Sequence, residues 1–215
     1  MKTYIIITAA LLTLISCKKD KIETPTIEEN KFESYSPNTK GSYWIYDWVE
    51  VDTNGVETPL PYKDTLRIIG DTMIKNNTYT IKRGTSKGGP VRNFYSRDSS
   101  GYIVGVLGGP SSSYINFSDT INSYESPGYL DIRIKMFNNI QVSIPLGTFA
   151  TIEARRFHYN PNGGSINNNG DLYFTYSSWF ADGIGRVKSS TGYFSETIQN
   201  GTIMEQRLVE YYIAP

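Results

Sequence analysis

The chain has 215 residues, with 21 basic and 21 acidic side chains, one histidine and one cysteine. Zero formal charge with no basic stripe argues against a nucleic-acid partner. A lone cysteine excludes an internal disulfide, and a lone histidine without a second thiol excludes a histidine-rich or thiolate zinc centre.

Residues 1–16 read as a signal peptide, with Lys2 as the positive start and an apolar stretch over 4–15 interrupted only by Thr8 and Thr13. That stretch is too short for the ~20 apolar residues that cross a bilayer, and the charges at Lys18, Lys19, Asp20 and Lys21 end it. Leu14-Ile15-Ser16-Cys17 resembles the lipobox of bacterial lipoproteins: an aliphatic residue three places before the cysteine and a small one directly before it. The resemblance implies cleavage before Cys17, a diacylglycerol thioether on its sulfur and a further acyl chain, such as palmitate, on its amine. Two or more chains, at ~0.8 kcal/mol per buried CH₂, hold a protein stably in a leaflet. Lys18 rather than aspartate after the cysteine implies, by resemblance to lipoprotein sorting, the outer membrane, with periplasmic or surface-facing display left open. Residues 17–38 are polar, charged and proline-punctuated without periodicity, which predicts a flexible tether. Some twenty such residues span on the order of 25 Å.

From Gly41 onward, short β-type runs alternate with Gly, Asn, Asp and Pro clusters. Leu130, Ile132, Ile134 and Met136 share one strand face, and Asp131, Arg133 and Lys135 the other. Ile140, Val142 and Ile144 continue the pattern, so Asn138-Asn139 predicts a type I′ hairpin turn. Asn54-Gly55, Gly70-Asp71 and residues 98–101 mark further corners. No run after the signal keeps a helical apolar face. Residues 39–215 are therefore expected to form one all-β domain, an antiparallel meander curled into a strongly curved sheet or open barrel, with a β-sandwich as the alternative.

The run Gly41-Ser42-Tyr43-Trp44-Ile45-Tyr46, the segment Pro145-Leu146-Gly147-Thr148-Phe149 and the segment Gly183-Ile184-Gly185-Arg186-Val187-Lys188 follow in order. Together they resemble the GxxWxY, PxGTF and GxGxVK motifs of uncharacterised Gram-negative envelope lipoproteins, over roughly residues 41–190. Leu146 stands where that pattern usually has Ala, and Arg186 where it often has Leu. The resemblance implies an all-β lipoprotein domain and no particular reaction.

Little in the chain suggests catalysis. His158 reads as a surface or packing residue, and there is no GxSxG elbow. Glu153, Asp171 and Asp182 are the carboxylates a glycan hydrolase would draw on. The 160–171 loop is rich in side-chain carbonyls but has one carboxylate, which suits a loop better than a calcium site. No catalytic residue, metal or cofactor is expected. The opening strand points Trp44, Tyr46 and Trp48 to one face at ~6.8 Å intervals, as a ligand-stacking ladder or as core. Asp64-Thr65-Leu66, Asp71-Thr72-Met73 and Asp119-Thr120-Ile121 resemble an envelope O-glycosylation sequon, which would place glycans on Thr65, Thr72 and Thr120. The functional expectation is a lipid-anchored envelope protein with a non-catalytic β domain that binds a glycan or an apolar ligand. An accessory subunit of an envelope complex is the alternative, and a glycan hydrolase comes third.

Overall fold

The computed structural model describes residues 35–125, 131–159, 172–192 and 203–215, which belong to one compact unit, Phe32–Pro215. The signal peptide, Cys17 and the tether before residue 35 lie outside the described residues, as does the 160–171 loop with Asp171.

The described residues contain twelve strands and no helix: β1 (Tyr43–Val51), β2 (Glu57–Ile74), β3 (Asn77–Gly84), β4 (Arg92–Ser99), β5 (Tyr102–Gly105), β6 (Pro110–Ser113), β7 (Thr120–Glu125), β8 (Asp131–Ile144), β9 (Gly147–Tyr159), β10 (Leu172–Ala181), β11 (Gly185–Gly192) and β12 (Ile203–Tyr212). They form one sheet in the order β6-β5-β4-β3-β2-β1-β12-β11-β10-β9-β8-β7. All neighbours are antiparallel, and all but β1 and β12 are consecutive in the chain. The edge strands β6 and β7 approach each other, so the meander curls into a nearly closed barrel. Asn122 on β7 donates its side-chain N–H to the Pro110 carbonyl at 2.9 Å across this seam. Pro110 opens an edge strand, where a missing N–H removes no ladder bond.

Asn54-Gly55 turns as expected: Gly55 takes φ +79°, and Asp52 Oδ1 accepts from the Asn54 and Val56 amides at 2.8 Å. Residues 98–101 also turn, with Asp98 Oδ1 accepting from the Gly101 amide at 3.0 Å. Two expected reversals are bulges instead. Gly70 sits inside β2 at φ +145° where the pairing with β3 slips by a residue, and the chain reverses at Lys75-Asn76, both at positive φ. Likewise Asn138-Asn139 interrupts β8 without ending it: the pairing with β9 resumes from Phe137↔Glu153 to Ile140↔Thr151, and the reversal comes at Pro145-Leu146 before Gly147. An asparagine at φ +57° serves a bulge as well as a turn, and continued pairing with β9 favours the bulge.

In β1 alternation buries three residues: Trp44 is 3% exposed, Tyr46 2% and Trp48 4%. The first two join Ile68, Val142, Ile144, Ala181, Val187 and Leu208 in the larger core cluster. Strands β8 and β1 are five places apart in the sheet, so Val142 and Ile144 reach this cluster because the β8–β9 tip crosses one rim of the barrel. The second cluster centres on Met136, Ile152 and Ala154, with Tyr35, Tyr114, Phe117, Ile121 and Phe180 against it. Tyr35 and the buried Pro37 show that ordered packing starts upstream of residue 39. Gly185, at φ +94°, makes room: a Cβ there would lie 3.2 Å from Pro37 Cδ.

Charged groups on the opposite face pair with one another. Arg207 donates to Glu57 at 2.6 and 2.8 Å and to Glu205 at 2.6 Å, while Lys188 stands 2.6 Å from Glu205. Arg155 grips Glu153 through two nitrogens at 2.8 Å each.

Candidate functional site

The barrel interior is not filled. It holds a cavity of about 520 Å³, within the ~300–1,000 Å³ range usual for small-molecule sites. Strand alternation decides what lines it. On β1 it presents Trp44, Tyr46 and Trp48; on β9, Ala154 and Arg156; on β10, Tyr176, Ser178 and Phe180. Hydroxyls are abundant, from Ser36 and Ser96 through Ser111, Ser112 and Ser189 to Thr191. Flat rings beside many hydroxyls make an amphipathic wall, unlike the apolar interior of a packed small barrel.

The three ladder aromatics line this cavity with their polar ends committed to the wall. Trp44 Nε1 donates to the Ile184 carbonyl at 2.6 Å, Tyr46 Oη to the Arg186 carbonyl at 2.9 Å, and Trp48 Nε1 to Asp64 Oδ2 at 2.7 Å. Cations cover two of the rings: Arg186 lies 5.0 Å from the Tyr46 centroid and Lys87 5.6 Å from that of Trp48. Burial pushes the Tyr46 hydroxyl above its ordinary range. Phe94, Tyr176 and Phe180 also line the cavity and are less buried than this ladder.

Asp64 is 1% exposed, and its two oxygens accept five hydrogen bonds. The donors are Trp48, the Thr85 hydroxyl, the amides of Lys87 and Gly88, and Gln206 Nε2 at 2.8 Å. This carboxylate thereby ties β2 to β1, β12 and the turn after β3.

Three cations also line the cavity: Lys82 from β3, Arg156 from β9 and Arg186 from β11. Lys82 Nζ donates to Ser36 Oγ at 2.8 Å. Burial, reinforced by the like charge of Arg186, pushes the Lys82 amine down to about 8. Arg156 lies close enough to Tyr176 to oppose the rise that burial imposes on that hydroxyl. None of the three cations takes part in an ion pair among the described residues.

The other sequence candidates fall elsewhere. Glu153 is 2% exposed on the side of β9 opposite Ala154 and Arg156, held by Arg155 and by the Ser177 hydroxyl at 2.6 Å. Asp182 sits in the exposed turn after β10, so these two carboxylates do not meet in the cavity. His158 is buried edge-on to Tyr176, with ring centroids 4.7 Å apart. Thr65 and Thr120 are exposed on strands and Thr72 is half-buried, while the Asp64 that precedes Thr65 is locked in its hydrogen-bonded knot. No group of three His, Cys, Asp or Glu side chains suited to a metal occurs among the described residues.

The cavity cations were not singled out by sequence. Lys82 and Arg156 sit among polar neighbours on both strand faces, so alternation alone does not separate interior from exterior. Arg186 left one trace, as the departure from Leu in the GxGxVK segment.

No protein-family model matches the chain, and no curated protein matches it. Among solved structures, a provisionally assigned lipoprotein from Parabacteroides distasonis shares 12% identity over 83% of this chain and 98% of its own, with a TM-score of 0.46. A provisionally assigned exported protein with a YmcC-like fold from Bacteroides fragilis shares 13% identity over 82% of this chain and 97% of its own, with a TM-score of 0.49.

Proposed function

We propose that this chain is a lipid-anchored envelope protein, attached through Cys17 to the outer membrane, that binds a glycan inside its barrel without catalysis. The observation that carries the reading is the cavity of about 520 Å³, walled by rings and hydroxyls where a structural barrel would be packed solid. Sugar rings present apolar faces and hydroxyl edges together, and such a wall complements both. A purely apolar guest would leave the lining serines, Lys82 and Arg186 desolvated and unmatched.

Saccharide titrations followed by tryptophan fluorescence are expected to show a saturable change, since Trp44 and Trp48 border the cavity. Ser178→Phe, which fills the interior from β10, is expected to abolish that change while the folded baseline remains. A saturable signal unaffected by Ser178→Phe would move the site out of the barrel. For the anchor, Cys17→Ser is expected to shift the protein from the membrane pellet to the soluble fraction and to remove incorporation of labelled palmitate. Two or more acyl chains lost together leave no apolar hold on the leaflet.

A further inference from the structure

We propose that the barrel cavity selects an acidic saccharide, whose oxyanion is held between Lys82 and Arg186 with Arg156 beside the path. The inference rests on the glycan-binding reading above and narrows its ligand class.

The argument is one of charge matching. Cations withdrawn from water are ordinarily paired or hydrogen-bonded, because an unmatched charge in a low-dielectric interior is costly. Three half-buried cations of the outer face are paired in this way: Arg207 has Glu57 and Glu205, Lys188 has Glu205, and Arg155 has Glu153. Inside, the pattern is different. The half-buried Lys82 and Arg186 and the more exposed Arg156 line one cavity, and Asp64 is the sole carboxylate lining it among the described residues. Asp64 pairs with none of them, because its oxygens are occupied by Trp48, Thr85, Gln206 and two backbone amides, and its single charge offsets at most one of the three. The cavity, open to solvent on one side, thus carries three cations against one carboxylate among the described residues. Such a concavity focuses the field on whatever enters.

The placement also fits a small oxyanion. Lys82 and Arg186 come from β3 and β11, strands four places apart in the sheet, yet their charges interact across the interior. An anion between them would relieve that repulsion and accept from both. The guanidinium of Arg186 lies 5.0 Å from the Tyr46 ring centroid, and a guanidinium matches a planar carboxylate or a phosphate with two parallel N–H donors. The serine hydroxyls of the wall remain for the neutral part of the sugar.

A structural role for Lys82 is the competing account, since its amine also holds Ser36 of the N-terminal segment. The test separates the two. The mature full-length protein is titrated calorimetrically with oligogalacturonate and its neutral methyl ester, with glucose 6-phosphate and glucose, and with inorganic phosphate alone. The carboxylate and phosphate pairs show which oxyanion is preferred. The expected result is binding of an acidic probe about ten- to a hundredfold tighter than its neutral partner, the range of a charge-assisted hydrogen bond. That preference is expected to collapse in Lys82→Gln and in Arg186→Leu and to persist in Ser36→Ala. Unfolding curves of each variant verify that the barrel is intact.

Equal binding of acidic and neutral partners, or a preference that survives both Lys82→Gln and Arg186→Leu, would overturn the acidic-ligand inference and leave the glycan reading standing. Binding of inorganic phosphate alone with no gain from any sugar would overturn both. So would failure of every probe to bind.

Discussion

Asp64→Ala is expected to be the most damaging single substitution in the barrel, lowering stability by on the order of 3–5 kcal/mol. The size follows from what is left behind. Removing the carboxylate strands the Trp48 and Gln206 side-chain N–H groups, the Thr85 hydroxyl and the amides of Lys87 and Gly88. Each buried donor without a partner costs ~1–3 kcal/mol, reduced where water enters the vacated space. Domains of this size have ~5–15 kcal/mol in total, so the variant should unfold at much lower urea. Asp64→Asn is expected to lie between, because its amide retains one accepting oxygen and directs a donor at other donors. Urea unfolding followed by tryptophan fluorescence checks both. An Asp64→Ala protein as stable as the parent would show that water replaces the carboxylate and that the knot does not hold the strands.

Lys82→Met is expected to act in the opposite direction, stabilising the fold while removing the proposed preference for acidic ligands. Burial and Arg186 lower the Lys82 amine from 10.5 to about 8. At ~1.4 kcal/mol per pKa unit, discounted for solvent in the cavity, the charged amine costs about 1–3 kcal/mol below pH 8. The direction with pH follows. Between pH 8 and 10.5 the unfolded lysine still holds its proton and the folded one has released it. Stability contributed by this site therefore rises with pH across that window. The groups around the cavity and its neighbouring pocket are Arg97, Arg156, Arg186, Asp64 and Asp98, with the tyrosines Tyr35, Tyr46 and Tyr176, whose hydroxyls are pushed above 10.0. In Lys82→Met the rise should vanish, and the melting temperature near pH 7 should increase by several degrees. Thermal melts at pH 7, 8, 9 and 10 on both proteins make the comparison. A lower melting temperature in Lys82→Met at pH 7 would show that the bond to Ser36 outweighs the cost of the charge.

These two residues also mark how far sequence alone reaches. The all-β class and the inward march of Trp44, Tyr46 and Trp48 follow from alternation, and the Asn54-Gly55 reversal from turn chemistry. The bulges at Gly70 and Asn138-Asn139 do not, because a residue that tolerates positive φ marks a local kink. Whether the chain then reverses depends on pairing with a strand elsewhere, here β3 and β9. The cavity cations are hidden for a different reason. A hollow barrel has polar groups on both sides of its wall, so Thr80 and Lys82 on β3, facing in, look like solvent-facing residues. Asp64 likewise reads as an ordinary strand-start aspartate until β12 brings Gln206 to it across 142 residues of chain.

The seam between β6 and β7 bears on how the ring is closed. Around the rest of the ring, adjacent strands are laced by backbone ladders, which must stay intact for the wall to exist. At this one joint the described fastening is a side-chain bond, Asn122 to Pro110, with Gly109 pressed so close that a Cβ there would come within 2.9 Å of the Asn122 amide. The ring is thus closed by a ladder everywhere but here, where the 114–119 connection and the packing of Tyr114, Phe117 and Ile121 on Met136, Ile152 and Ala154 hold the two edges together beside that one amide.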